Sequence, residues 1–149
     1  MKQLLAITAI LLFGVLSQSS AQAPQKLKIV PEGQAVRSSA AYSEVVLRRA
    51  EVEADLESLL LDFTEDYPKV KADRFMLDRL QKQLDTLLAV KASEAGKLTL
   101  ALGKLMVKRV EFETDLWALQ QTLADGHPDV KRAKKKVEIF DKAIKEILG

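Results

Sequence analysis

The chain has no cysteine, which excludes a disulfide framework, a thiolate zinc site and a lipidated cysteine at a signal junction. Aromatic residues make up only 5% of it, and none interleave with basic residues as single-stranded nucleic-acid binding requires. Nucleic acid is therefore not an expected partner. There is one histidine, His127, and its spacing from Asp125 and Asp129 does not supply a metal or acid–base set. A glycine-rich phosphate loop, a nucleophile elbow and an HExxH motif are all missing. The expectation is a protein that is not an enzyme and has neither cofactor nor metal. Neither sign of charge dominates: the formal net charge is +2 although 30% of the 149 residues are charged. That balance, in a mix rich in Ala, Leu, Glu, Lys and Asp, suits salt-bridged helices.

Long hydrophobic runs are also scarce. The one present is Leu4 to Val15, after Met1-Lys2 and before the small, polar Ser17 to Ala23. At about 12 residues and 1.5 Å per residue it is too short to span a bilayer core of roughly 30 Å. Residues 1–21 have the layout of a secretory signal peptide, with cleavage expected after Ala21 and Ala23 as the alternative. The mature product is expected outside the cytoplasm, in a periplasm first and secreted as the alternative, with no transmembrane segment. Residues 22–39 hold Pro24, Pro31, Gly33 and Ser38-Ser39 and read as a flexible linker.

What the rest contains is a repetition. A shift of 60 residues places Arg49 to Leu59 on Arg109 to Leu119, and Tyr67-Pro68-Lys69-Val70-Lys71 on His127-Pro128-Asp129-Val130-Lys131. Between Tyr42–Leu88 and Leu102–Leu148, eleven of 47 pairs are identical without a gap. A fixed period of this size marks a repeated supersecondary unit. After Ala40 the only prolines are Pro68 and Pro128, at equivalent places. Proline is tolerated in the first turn of a helix and not in its interior. Each copy is therefore expected to be helix, tight turn, helix, with Gly126 closing the preceding helix in a left-handed conformation.

Apolar residues alternate at three and four along each arm. The expected seams are Tyr42, Val45, Arg49, Val52, Leu56, Leu59, Phe63 and Val70, Asp73, Leu77, Leu80, Leu84, Leu87 in the first copy. In the second they are Leu102, Leu105, Arg109, Phe112, Leu116, Leu119, Leu123 and Val130, Ala133, Val137, Phe140, Ile144, Ile147. The fold expected is all-α, two tandem antiparallel hairpins over 40–92 and 97–149. They form a four-helix arrangement if the chain bends near Ser93 to Gly96, or a coiled-coil rod if the central helix continues. The bend is favoured because Leu47, Leu61, Phe75, Met76, Val107, Trp117 and Ile139 lie off the seams and need a second interface.

The candidate interaction residues are, except for Lys131, positions where the copies differ. Trp117 replaces Glu57 and is read as a contact between hairpins or subunits. Phe75 and Met76 are replaced by Lys135 and Lys136. Lys131, Arg132, Lys134, Lys135 and Lys136 form the strongest charge run, a solvated face for which an anionic polymer or a membrane surface is the alternative partner. Arg49 and Arg109 are expected to pair with Asp85 or Glu94, and with Glu146. Pro68, Pro128 and Gly126 are structural turn residues.

The stretch Leu59 to Leu84, with Tyr67-Pro68 and Val70 in its turn, resembles the helical-hairpin tip of bacterial chain-length determinant proteins, the polysaccharide co-polymerases. The turn at His127-Pro128-Asp129-Val130 is similar to the same tip. The resemblance implies a periplasmic hairpin shape. It does not carry over their polymer-length control, because those proteins are held by two flanking membrane helices that have no counterpart here. Small periplasmic holdases of the hairpin type are a looser analogy. The function expected is a periplasmic scaffold or protein-interaction module, by a protein partner or self-association through helix faces. A holdase chaperone for unfolded clients is the alternative.

Overall fold

Two prolines divide the chain into its long helices. The computed structural model describes residues 32–149, so the expected signal peptide and its cleavage points lie outside the described residues. Five α-helices follow in order: α1 (Glu32–Arg37), α2 (Ala40–Asp62), α3 (Pro68–Leu88), α4 (Leu100–Gln120) and α5 (Pro128–Leu148). A 3-10 helix, Ala92–Lys97, joins α3 to α4. The described residues include no strand, and none of their helices is long and apolar enough to cross a membrane.

Pro68 and Pro128 stand in the first turns of α3 and α5. Their rings hold φ at about −65°, and their missing N–H falls among the donors that a helix start leaves unpaired. Replacing either with alanine should change stability by less than about 1 kcal/mol, since proline there mainly restricts the unfolded chain. A fall of more than a few degrees in the melting midpoint would show that the ring packs. The residues before them, Tyr67 and His127, are extended, as a following proline requires. The starts of α2 and α4 are capped alike: the Ser39 hydroxyl accepts from Tyr42 N at 3.2 Å and that of Thr99 from Leu102 N at 3.3 Å.

Short turns make α2 and α3 one antiparallel pair, and α4 and α5 another. The 3-10 turn reverses the chain, so α3 and α4 also lie side by side, and a rod with a continuous central helix does not form. α2 and α4 run parallel. The Ala41 N–H donates to the Leu98 carbonyl at 3.2 Å, and further along Arg48 Nη2 lies 3.5 Å from Glu111 Oε1. Both hairpin turns therefore project from the same end of the molecule. The opposite end is a closed base, where Val36 of α1 (1% exposed) covers Leu87, Leu98 and Leu102 in one core. There Lys97 Nζ donates to the Leu148 carbonyl at 3.0 Å and satisfies the end of α5.

The arrangement differs from a symmetric four-helix bundle. α4 packs against α2, α3 and α5, while α5 packs chiefly on α4. The residues buried on α4 are consequently Leu102, Gly103, Met106, Val110 and Thr114. This stripe faces the first hairpin and is rotated from the expected seam. Leu105, Arg109, Phe112, Leu116, Leu119 and Leu123 face α5 and are only half-buried. α3 follows the expected seam at Val70, Asp73, Leu80, Leu84 and Leu87, leaves Leu77 half-buried, and also buries Met76 and Gln83.

Two further expectations are corrected. The stretch read as linker contains α1, whose Val36 is a core residue. Gly126 does not adopt a left-handed conformation: among the described residues the one positive-φ glycine is Gly149. α4 ends earlier, at Gln121 (φ −70, ψ −21), where Gln121 N and Thr122 N close back on Ala118 O and Leu119 O at 3.2 Å. Such tightened last turns need no left-handed residue.

Candidate functional site

Of the candidate interaction residues, Phe75, Met76 and Trp117 make contacts inside the chain. Phe75 of α3 and Trp117 of α4 stack with ring centroids 5.1 Å apart and planes 17° apart. The Arg79 guanidinium lies 4.7 Å from the centroid of the Phe75 ring, so Phe75 has partners from both helices. Met76 is 8% exposed and belongs to the core. The contact between hairpins thus draws on Phe75 and Trp117, whose counterparts 60 residues away are Lys135 and Glu57. Leu47, Leu61 and Ile139 are off-seam residues that remain exposed.

The seam arginines do form polar ties, one turn away from the expected carboxylates. Arg49 Nη1 donates to Gln81 Oε1 at 2.8 Å, and Gln81 Nε2 donates to Asp85 Oδ1 at 2.9 Å. Arg109 Nε lies 3.3 Å from Asp141 Oδ1, with Glu113 at 3.5 Å from its Nη2. Gln81 and Asp141 are themselves 60 residues apart, so each arginine reaches the matching position of its own hairpin. The Lys145 ammonium and then the Arg109 guanidinium hold the Asp141 carboxyl below the usual aspartate range.

The basic run is mostly neutralised locally. Arg132 pairs with Asp129; Lys134 Nζ lies 3.0 Å from Asp125 Oδ1 and Lys135 Nζ 2.9 Å from Glu138 Oε2. Lys136 instead places its ammonium 5.2 Å from the centroid of the Phe112 ring. His127 caps α5, its Nδ1 accepting from Asp129 N at 3.2 Å. No group of three or more metal-ligating side chains occurs among the described residues.

A groove of about 540 Å³ lies between α4 and α5, near their turn. Phe112, Ala118, Leu119 and Ala133 supply apolar walls; Asp115, Thr122, Asp129, Arg132 and Lys136 supply the polar ones. It exists because α5 packs chiefly on α4, and the seam between them closes incompletely. A smaller groove of about 230 Å³ lies on the first hairpin, lined by Asp55, Ser58, Leu59 and Lys69. Each of these residues is 60 positions from a lining residue of the larger groove: Asp115, Ala118, Leu119 and Asp129. Sequence reasoning missed both. It placed Phe112 and Leu119 in a closed seam, and the available signal was the repeated Asp-x-x-x-Leu of 55–59 and 115–119. Comparison with protein-family profiles, curated proteins and solved structures finds no match.

Next to the smaller groove, Asp73 is 4% exposed and paired with Lys69, but its Oδ2 is buried without a hydrogen bond. The matching residue in the second hairpin is Ala133, also buried. A buried carboxylate with one oxygen unsatisfied costs more than an apolar residue in its place. Asp73→Ala should therefore raise stability by about 1 kcal/mol or more. Urea unfolding checks this; a lower midpoint would show that the carboxylate has a compensating partner.

Proposed function

We propose that the protein is an exported, non-enzymatic scaffold, built by tandem duplication of one helical hairpin, that engages protein partners through its two hairpin ends. The observation that carries this reading is the pair of grooves at matched positions. Asp55 and Leu59 in one groove correspond to Asp115 and Leu119 in the other, while the linings differ at Ser58 against Ala118 and at Lys69 against Asp129. The matched helix starts, the matched Ser39 and Thr99 caps and the matched arginine ties support the duplication. Export rests on the composition of residues 1–21.

The holdase alternative needs apolar inner faces that clients can reach. Those faces are filled by the chain's own core, with Val45, Leu80, Met106 and Val110 all at 0% exposure. This favours the scaffold. Capture from a periplasmic extract tests it, comparing the wild type with Leu119→Glu, whose target residue lines the larger groove. The reading expects a partner held by the wild type and lost by the variant, with helical circular dichroism retained. Equal capture by both would remove the groove from the function. Suppression of client aggregation at near-stoichiometric ratio would replace the scaffold with the holdase.

A further inference from the structure

The two hairpin ends carry opposite charge. Residues 55–76 contain six acidic and three basic side chains, whereas residues 115–136, their counterparts, contain three acidic and five basic. The ion pairs inside each end sharpen the contrast. In the first, Glu65 is taken by Arg74, Asp66 by Lys71 and Asp73 by Lys69. That leaves Asp55, Glu57 and Asp62 without an ion pair among the described residues. In the second, Arg132 and Lys134 are taken by Asp129 and Asp125, and Lys135 by Glu138. Lys131 and Lys136 are left without one, beside a single unpaired carboxylate, Asp115.

The ends also differ in shape. Beyond its smaller groove, the first presents an apolar protrusion at its turn: Leu61 is 85% exposed, and Phe63 and Tyr67 stand half-exposed with their rings stacked at a centroid distance of 4.1 Å. A stacked pair is ordered before it binds, which lowers the entropy lost on association. The second is a recess, the groove floored by Phe112, Leu119 and Ala133 and edged by Lys136. An acidic, apolar protrusion and a basic-edged, apolar recess are complementary, yet they lie side by side on one molecule and point the same way.

We propose, building on the interaction reading above, that the occupant of each hairpin end is a second copy of this chain. Because both ends project from the same side, a two-fold axis brings the protrusion of each copy to the recess of the other. The contact is then made twice and closes as a dimer. Leu61 and the Phe63–Tyr67 stack enter the recess, and Asp55 and Asp62 approach Lys131 and Lys136 of the other copy.

Sedimentation of the full mature chain over a range of concentration and salt tests this. The expected result is a dimer that weakens as salt screens the paired charges. Lys131→Glu with Lys136→Glu should weaken association at least about tenfold. Adding Asp55→Lys and Asp62→Lys to that variant reverses both ends and should restore the dimer. All four positions are exposed, so each variant should keep the wild-type helical signal. A wild type that is monomeric at every concentration overturns self-pairing, and it does so even if the chain still captures another protein, which would leave the interaction reading standing. A dimer indifferent to the first pair of substitutions, or not restored by the second, overturns it as well.

Discussion

Replacing Gly103 with leucine is expected to separate the two hairpins, with loss of most of the folding stability. A Cβ at this position would lie 2.8 Å from Ala41 Cα, 2.9 Å from Ala41 O and 2.9 Å from Glu44 Cβ. Two of those atoms are backbone, so no rotamer change relieves the clash. Nor can α2 retreat freely, because the Ala41 N–H is bonded to Leu98 O and Ala41 itself is wholly buried. Overpacking typically costs about 1–3 kcal/mol, occasionally more, against a total of about 5–15 kcal/mol for a domain. Leucine adds three further carbons to a site with no room for the first. Even alanine, which normally favours a helix over glycine by about 1 kcal/mol, should destabilise here. Gly96, whose added Cβ would meet nothing within 4 Å, is the control. Urea midpoints of Gly103→Ala, Gly103→Leu and Gly96→Ala decide the matter. A Gly103→Ala chain more stable than wild type would mean that α2 and α4 do not approach as described.

The second large effect is expected at Met106. Its side chain is 0% exposed and packs with Leu102 and Val110, on the face of α4 that meets the first hairpin. Met106→Asp removes that packing, worth about 2–5 kcal/mol for a buried Met, and adds an unpaired carboxylate to an apolar site. Little stability should remain at neutral pH. Leu116→Asp, on the half-buried face toward α5, should cost roughly half as much, since its carboxylate can reach water. Circular dichroism melts of the two variants compare the faces directly. If Leu116→Asp proved the more damaging, the heptad seam would be the principal core of α4.

That comparison shows where sequence was sufficient. On α3 the three-and-four spacing named Val70, Leu80, Leu84 and Leu87, and all are buried, because the seam toward α2 also faces α4. On α4 the same spacing named a real contact that is not the deepest one. Periodicity reports one apolar stripe, and a helix with three neighbours needs a wider face. Met106, Val110 and Thr114 complete it, and a threonine among them reads as surface until its hydroxyl is seen bonded to Val110 O at 3.0 Å. Gly103 was legible only as a poor helix former; that it admits a neighbouring backbone depends on where α2 lies. The arginine partners were missed by about one turn, since the axial stagger of the two arms is set by the turn and the packing. Phe75 and Trp117 stood out as aromatics off the seam, but nothing in their spacing joined one to the other.

The position of α5 has a consequence for how the molecule comes apart. Helices with several neighbours open only with the whole domain, whereas one docked on a single neighbour can detach at a lower free energy. α5 meets chiefly α4, and Lys97 at the base holds its last carbonyl. Its amide hydrogens should exchange with solvent sooner than those of α3 and α4. Each such opening would bare Leu105, Phe112, Leu116 and Leu119 while leaving Leu80, Leu84 and Met106 covered, so the second hairpin unzips while α2, α3 and α4 stay packed together.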